Sequence, residues 1–256
     1  MSLKIFFALI ERDLRVTLKH IGDITYRVAM LPFILTLVFG YILPRIGQVP
    51  RDFSNLMFSG ILGASLVVGG IHGVAIALIL DFGLTREIEE QLMAPIGIKW
   101  VGIAKMVTGI LESWLGGVIV FPIVWLLMSG NLSITVSNIS LFIIIFVLAG
   151  LTSASLGLLL GTIFKPQQIA VMFPGVLIPI VLLGATFYSW EGLSLIPWVK
   201  MLVLLDPLTY VSESFRAVFT PQIPHMDPLY SLLGLILSTT IMGFVGLKRF
   251  VKKAVV

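Results

Sequence analysis

Six long apolar runs dominate the chain, approximately Tyr26 to Leu43, Leu56 to Leu80, Val101 to Met128, Ile139 to Phe164, Ile169 to Phe187 and Leu229 to Leu247. Each is near or above the roughly 20 mostly apolar residues that a helix needs to cross a bilayer, so the pattern predicts six transmembrane helices. Ahead of them, Leu3, Phe6, Phe7, Ile10, Leu14, Leu18 and Ile21 recur at helical spacing, with Lys4, Arg12, Arg15, Lys19 and His20 largely off that stripe. This predicts an amphipathic helix lying in a membrane interface. Between the second and third runs, Asp81 to Lys99 is the most charged internal segment. There Thr85 is placed to cap a short helix whose first turns carry Glu87, Glu89 and Glu90 near the positive end of the dipole. Ile88 and Leu92 share one of its faces, and Pro95 ends it.

The segment before the last run has a different grammar. LIPWVKMLVLLDPLTYVSESFRAVFTP breaks at Asp206-Pro207 into two apolar pieces, each too short to span. Pro197 suits the first turn of one half-helix, Asp206 as N-cap with Pro207 behind it starts another, and Pro221 and Pro224 stop that one. On these residues alone, a re-entrant hairpin and an ordinary amphipathic loop both fit. Glu213 and Arg216, at i,i+3 beside Tyr210, read as a local surface ion pair holding the segment in preference to a substrate contact. Tyr188, Trp190 and Trp198 suit an aromatic belt.

Composition agrees with the pattern. With 58% hydrophobic and 12% charged residues and a mean hydropathy of +1.08, the chain is far more apolar than soluble domains, where about a quarter of residues are charged. It reads as an all-α polytopic membrane protein with one transmembrane domain over 1–256. The parts are an interfacial helix to about 24, spans one to five over 25–187 with the short helix at about 84–95, a hairpin over 188–228, and the last span with a basic tail over 229–256. The absence of cysteine removes disulfides and thiolate ligands. Glu11 and Asp13 among the early basic residues argue against a cleavable signal peptide. Alternating the loops puts all but Arg45, Arg51, Lys200 and Arg216 of the 17 Lys and Arg residues on one side, which predicts both termini in the cytoplasm. The same asymmetry explains the pI near 9.4 without invoking nucleic acid.

The chain contains no GxxxxGK[ST] phosphate loop, no HExxH, no GxSxG and no EF-hand loop, so transport energy is expected from a partner or an ion gradient. His72 in run two and Glu112 in run three lie at similar depth, roughly 13 to 20 Å from the charged loop at 1.5 Å per residue. They are predicted to meet as a buried polar pair, either fixing helix packing or coupling protons. The second role makes a gradient-driven carrier using Glu112 the alternative function. A lipid-modifying membrane enzyme would need clustered acids or histidines, and His20, His72 and His225 are scattered. Gly60, Gly63, Gly69, Gly70 and Gly73 in run two, with Gly150, Ser153, Ser155, Gly157 and Gly161 in run four, permit close helix approach. Pro174 and Pro179 free backbone groups in run five.

Pro197, then Pro207-Leu208-Thr209-Tyr210, then Arg216, preceded by the turn Gly184-Ala185-Thr186-Phe187-Tyr188-Ser189, resemble the signature of type-2 (ABC-2) membrane permease subunits of ATP-binding cassette exporters. That family includes daunorubicin-type drug and nodulation-factor exporter permeases. Phe187 departs from it, since many relatives carry a smaller residue there. The resemblance implies an N-terminal interfacial helix, a cytoplasmic coupling helix and an external re-entrant hairpin around six spans. It assigns ATPase coupling to Arg86, Glu87, Ile88, Glu89, Glu90, Gln91, Leu92 and Pro95, and external closure to the hairpin residues Pro197, Asp206, Pro207, Tyr210, Glu213 and Arg216. Two permeases, as a homodimer or heterodimer in a prokaryotic cytoplasmic membrane, would bind separate ATP-binding cassette ATPase subunits. ATP and Mg would sit in those partners, leaving this chain without cofactor, metal or catalytic residue. The apolar spans point to an amphipathic or lipid-like substrate.

Overall fold

The computed structural model describes residues 3–50, 52–83, 87–93, 95–128, 130, 132–134, 136 and 138–255, and these are helical wherever they are regular. In chain order the helices are α1 (Leu3–Lys19), α2 (Ile21–Arg45), α3 (Phe53–Gly83), α4 (Glu87–Leu92), α5 (Ile98–Met128), α6 (Ile139–Ile163), α7 (Pro166–Leu183), α8 (Pro197–Leu202), α9 (Pro207–Phe219) and α10 (Pro228–Val255). Among the described residues, α2, α3, α5, α6, α7 and α10 are the six long and apolar enough to cross a membrane.

The ends follow local chemistry. Asn138 caps α6 by accepting from the Leu141 amide at 3.0 Å. α7 stops at Leu183, short of the predicted Phe187, because Gly184 leaves helical geometry and Ala185 takes a positive φ of 53°. α10 instead runs on through Lys248, Arg249, Lys252 and Lys253. Long basic side chains reach water from a helix whose stem stays in apolar surroundings, so a charge need not end a span.

α3 forms the centre, packed against α5, α6 and α9. Small residues set these distances. A Cβ at Gly60 would fall 2.4 Å from Thr186 Cα, and Gly157 faces the Gly70 carbonyl across α3 and α6. Ser113 on α5 donates to the Leu66 carbonyl at 2.7 Å, and Thr152 of α6 meets Thr239 of α10 at 2.6 Å.

Three spans contain π-helical stretches, Thr36–Ile42, His72–Ile76 and Phe173–Leu177. Two of them contain a proline or lie beside one. Pro44 has no N–H to offer the Gly40 carbonyl, and the Ser54 hydroxyl donates to it at 3.1 Å. Pro174 lies inside the stretch in α7 and Pro179 two residues beyond it, in the span the sequence marked for disrupted backbone.

Candidate coupling site and hairpin

α4 stands between α3 and α5 as the short charged helix expected there. Ile88 and Gln91 are buried and Leu92 half-buried, with Ile88 in one apolar cluster with Val101 and Phe250. The opposite face leaves Glu87, Glu89 and Glu90 exposed. Pro95 follows it, also exposed, while Arg86 and the Thr85 cap lie outside the described residues.

A polar network ties α4 to three other helices. Arg12 of α1 donates to Glu87 Oε2 at 2.7 Å. The Gln91 amide, with its oxygen toward the donors, accepts from Arg12 Nη2 at 2.8 Å and Lys105 Nζ at 3.2 Å. Lys105 of α5 is buried between two carboxylates, Asp13 of α1 and Asp81 of α3, each 3.0 Å from its ammonium. Two negative charges around one lysine, with Arg12 beside Asp13 at 3.5 Å, make a cluster in which every charge has an opposite neighbour. Its members come from four elements, α1, α3, α4 and α5.

Glu112 does not pair with His72. Its Oε1 accepts the Thr17 hydroxyl of α1 at 2.6 Å, and its carboxylate packs over Gly73, where a Cβ would come within 2.5 Å of Oε2. Successive residues on a helix point about 100° apart, so the residue after His72 takes the place facing Glu112. His72 Nδ1 donates to the Val68 carbonyl at 2.8 Å, and its ring packs against Phe173 at 5.3 Å. In the neutral ring that leaves Nε2 as an acceptor. The ring borders a cavity of about 590 Å³ between α2, α3 and α7, otherwise walled by apolar residues such as Met30, Ile34, Phe173 and Leu177, with Arg27 also on its lining.

The segment from α8 to α9 has the punctuation read from the sequence. Pro197 opens α8, and Asp206 caps α9 by accepting from the Leu208 amide at 2.9 Å, with Pro207 first in the helix. Burial pushes the Asp206 carboxyl up to about 7. Tyr210 donates to the Leu204 carbonyl at 2.8 Å and packs its ring on Gly234. Lys200 sits 3.9 Å from the Trp190 ring and 3.1 Å from Glu191.

Glu213 and Arg216 form an ion pair, but not on the surface: both are wholly buried. Glu213 also accepts the amides of Trp190 at 2.8 Å and Met226 at 2.6 Å, while Arg216 Nη2 donates to the carbonyls of Ala185 at 2.8 Å and Leu56 at 3.2 Å. Burial pulls the guanidinium below its ordinary value and Glu213 opposes this. The pair thus binds the 184–190 turn, the start of α3 and the approach to α10 to α9. Phe187 fills space against Phe39, ring centres 5.1 Å apart.

Asp13, Thr17, Asp81 and Lys105 were not singled out as site residues. A signal existed: Phe6, Ile10, Asp13 and Thr17 follow a 4-3-4 spacing that makes one helix face. The structure turns that face inward, with Phe6 against Trp100 at 5.7 Å and Ile10 buried, and leaves Leu3, Phe7 and Leu18 exposed.

Comparison with curated proteins returned no match. The family model of the ABC-2 type transporter matches residues 5–220, from α1 through the end of α9. That range takes in α4, its polar network, the cavity beside His72 and the buried Glu213–Arg216 pair, and the chain therefore belongs to the ABC-2 type transporter family as a multi-pass membrane permease.

Proposed function

We propose that this permease is the path-forming subunit of an ATP-driven exporter and receives its energy through α4. Permeases of this family typically pair with ATP-binding cassette ATPase subunits, and their membrane domain has no ATPase activity of its own. The observation that carries the reading is the construction of α4. It exposes Glu89 and Glu90 while Ile88, Gln91 and the Glu87–Arg12 bond root it in the bundle. A push on its outer face is transmitted to α1, α3 and α5 through Lys105 and its two carboxylates.

On this reading α4 faces the cytoplasm, the α8–α9 hairpin lies at the external face, and α1 rests in the cytoplasmic interface. The apolar stripe of α1 left open at Leu3, Phe7 and Leu18 supports that last placement. The cavity between α2, α3 and α7 suits an amphipathic or lipid-like substrate, because its wall is apolar with Arg27 and His72 as polar exceptions. Exposed Met30, Ile178 and Leu182 leave the α2 and α7 sides of that cavity open to a second permease copy or a related permease.

The test is purification of the chain from its native membrane in mild detergent. A nucleotide-binding subunit and ATPase activity are expected in the eluate. A clean preparation lacking both would transfer the assignment to a gradient-driven carrier built on Glu112. Orientation is tested with cysteines placed at Gln48, Ser194 and Met93, which are exposed in a chain with no natural cysteine. The first two should react with an impermeant external reagent and the third should not; a protected Ser194 position would reverse the hairpin assignment.

A further inference from the structure

The cytoplasm-proposed end of α10 carries a site that the transport reading does not use. A cavity of about 570 Å³ is lined by Thr162, Lys248, Arg249, Lys252 and Lys253. Lys253 is committed to the protein: its ammonium reaches the carbonyls of Gly161, Thr162 and Phe164 at 3.3 to 3.5 Å, closing the end of α6. Lys248, Arg249 and Lys252 are exposed, and among the described residues none forms an ion pair. Three cations thus converge on one hollow, and among the described residues none of them has a carboxylate partner.

A second cavity of about 260 Å³ shares Lys248 and adds Lys99 of α5 with Phe244, Leu247 and Val251. From it an exposed apolar stripe runs back along α10 through Phe244, Ile241 and Leu237 at spacings of three and four residues. Leu237 to Lys248 covers roughly 16 Å at 1.5 Å per residue, close to the depth of one leaflet of a hydrocarbon core about 30 Å thick. Cationic hollow and apolar stripe therefore meet at one place on a lipid-facing helix, in the order of a lipid's head and tail.

We propose that this groove is a binding site for an anionic phospholipid of the leaflet at the C-terminal end of α10. Its phosphate would sit among Lys248, Arg249 and Lys252, and an acyl chain along Phe244, Ile241 and Leu237. General enrichment of basic residues beside spans gives diffuse attraction to a negative surface. A hollow that gathers three cations and is continuous with an acyl-length stripe gives a discrete site. The site holds whichever way the permease faces and whatever it carries.

The experiment is native mass spectrometry and titration of the delipidated full chain in mild detergent with dioleoylphosphatidylglycerol, dioleoylphosphatidylcholine and inorganic phosphate. One phosphatidylglycerol per chain is expected to bind at least tenfold tighter than phosphatidylcholine. K248Q/R249Q/K252Q should remove that preference. K248R/K252R should retain it, and so should K4Q/R15Q/K19Q, which deletes equal charge on α1. Equal binding of the two lipids, or a preference that survives the triple glutamine variant, would overturn the proposal. Displacement of the lipid by millimolar phosphate would show a free-anion site and overturn the lipid assignment. Intact lipid preference together with loss of the ATPase subunit in the triple variant would give the patch to that protein, with the same consequence. If the triple variant fails to fold, Phe244→Asn alone decides, since it spares every charge; unchanged lipid affinity there would remove the acyl half of the site.

Discussion

Thr17 donates its hydroxyl to Glu112 at 2.6 Å, so a helix preceding the first span satisfies the carboxylate within the third. This contact fastens α1 to the bundle and makes it part of the fold. Thr17→Val would leave a buried acceptor without its donor and cost about 1 to 3 kcal/mol, whereas Thr17→Ser should be nearly silent. Thermal unfolding in detergent measures both. A double-mutant cycle of His72→Ala with Glu112→Gln should give a coupling below about 0.5 kcal/mol, since the two share no contact. A larger coupling would restore the pairing read from the sequence.

Lys105 stands between Asp13 and Asp81. Lys105→Met leaves the buried Asp81 and the half-buried Asp13 carboxylates without the cation between them, and the expected loss is about 3 to 5 kcal/mol. Adding Asp13→Asn and Asp81→Asn to that variant should recover much of the loss. Failure of the triple variant to exceed the single one in unfolding temperature would mean that packing, not charge balance, sets the stability of this cluster.

Glu213 and Arg216 are buried together, each with further backbone partners. Glu213→Gln strands a guanidinium without its counter-charge, at a cost of about 3 to 5 kcal/mol. Protease sensitivity at the 184–190 turn is expected to rise in this variant, because that turn is held through Glu213 and Arg216. A resistant turn would show that the pair is not what holds it.

Asp206 gives a pH dependence with a definite sign. Its carboxyl moves from an ordinary 3.8 to about 7 in the fold, so between those values the native state binds more protons than the unfolded state. The stabilisation is complete below about pH 4 and is lost as pH rises toward 7. Asp206→Asn keeps an oxygen for the Leu208 amide but removes the titration. The wild type should lose stability across that window and the variant should lose less; parallel profiles would exclude Asp206 as the source.

The architecture was legible because bilayer length and hydropathy act on whole runs of residues. Span positions and the Asp206-Pro207 start of α9 could be read from runs and caps alone. Direction around a helix was less legible. Counting depth placed His72 level with Glu112, yet a one-residue difference turns a side chain by about 100°, and Gly73 took the contact. Burial of Glu213 and Arg216 was also hidden, since their partners are main-chain groups of Leu56, Ala185, Trp190 and Met226 that side-chain pattern does not reveal. The inward face of α1 that carries Asp13 and Thr17 was hidden because Phe6 and Ile10, read as part of the interfacial apolar stripe, serve either side equally well by hydrophobicity.

The most direct test of energy transfer through α4 is retention of the ATPase subunit, and its activity, on permease carrying Glu89→Lys and Glu90→Lys. These exposed positions can be reversed without touching the Glu87–Arg12 bond or the buried Gln91. Coupling through α4 requires loss of the co-purified subunit and of transport-linked ATPase activity, with the unfolding temperature of the permease unchanged. Full retention of partner and activity in this folded variant would contradict it.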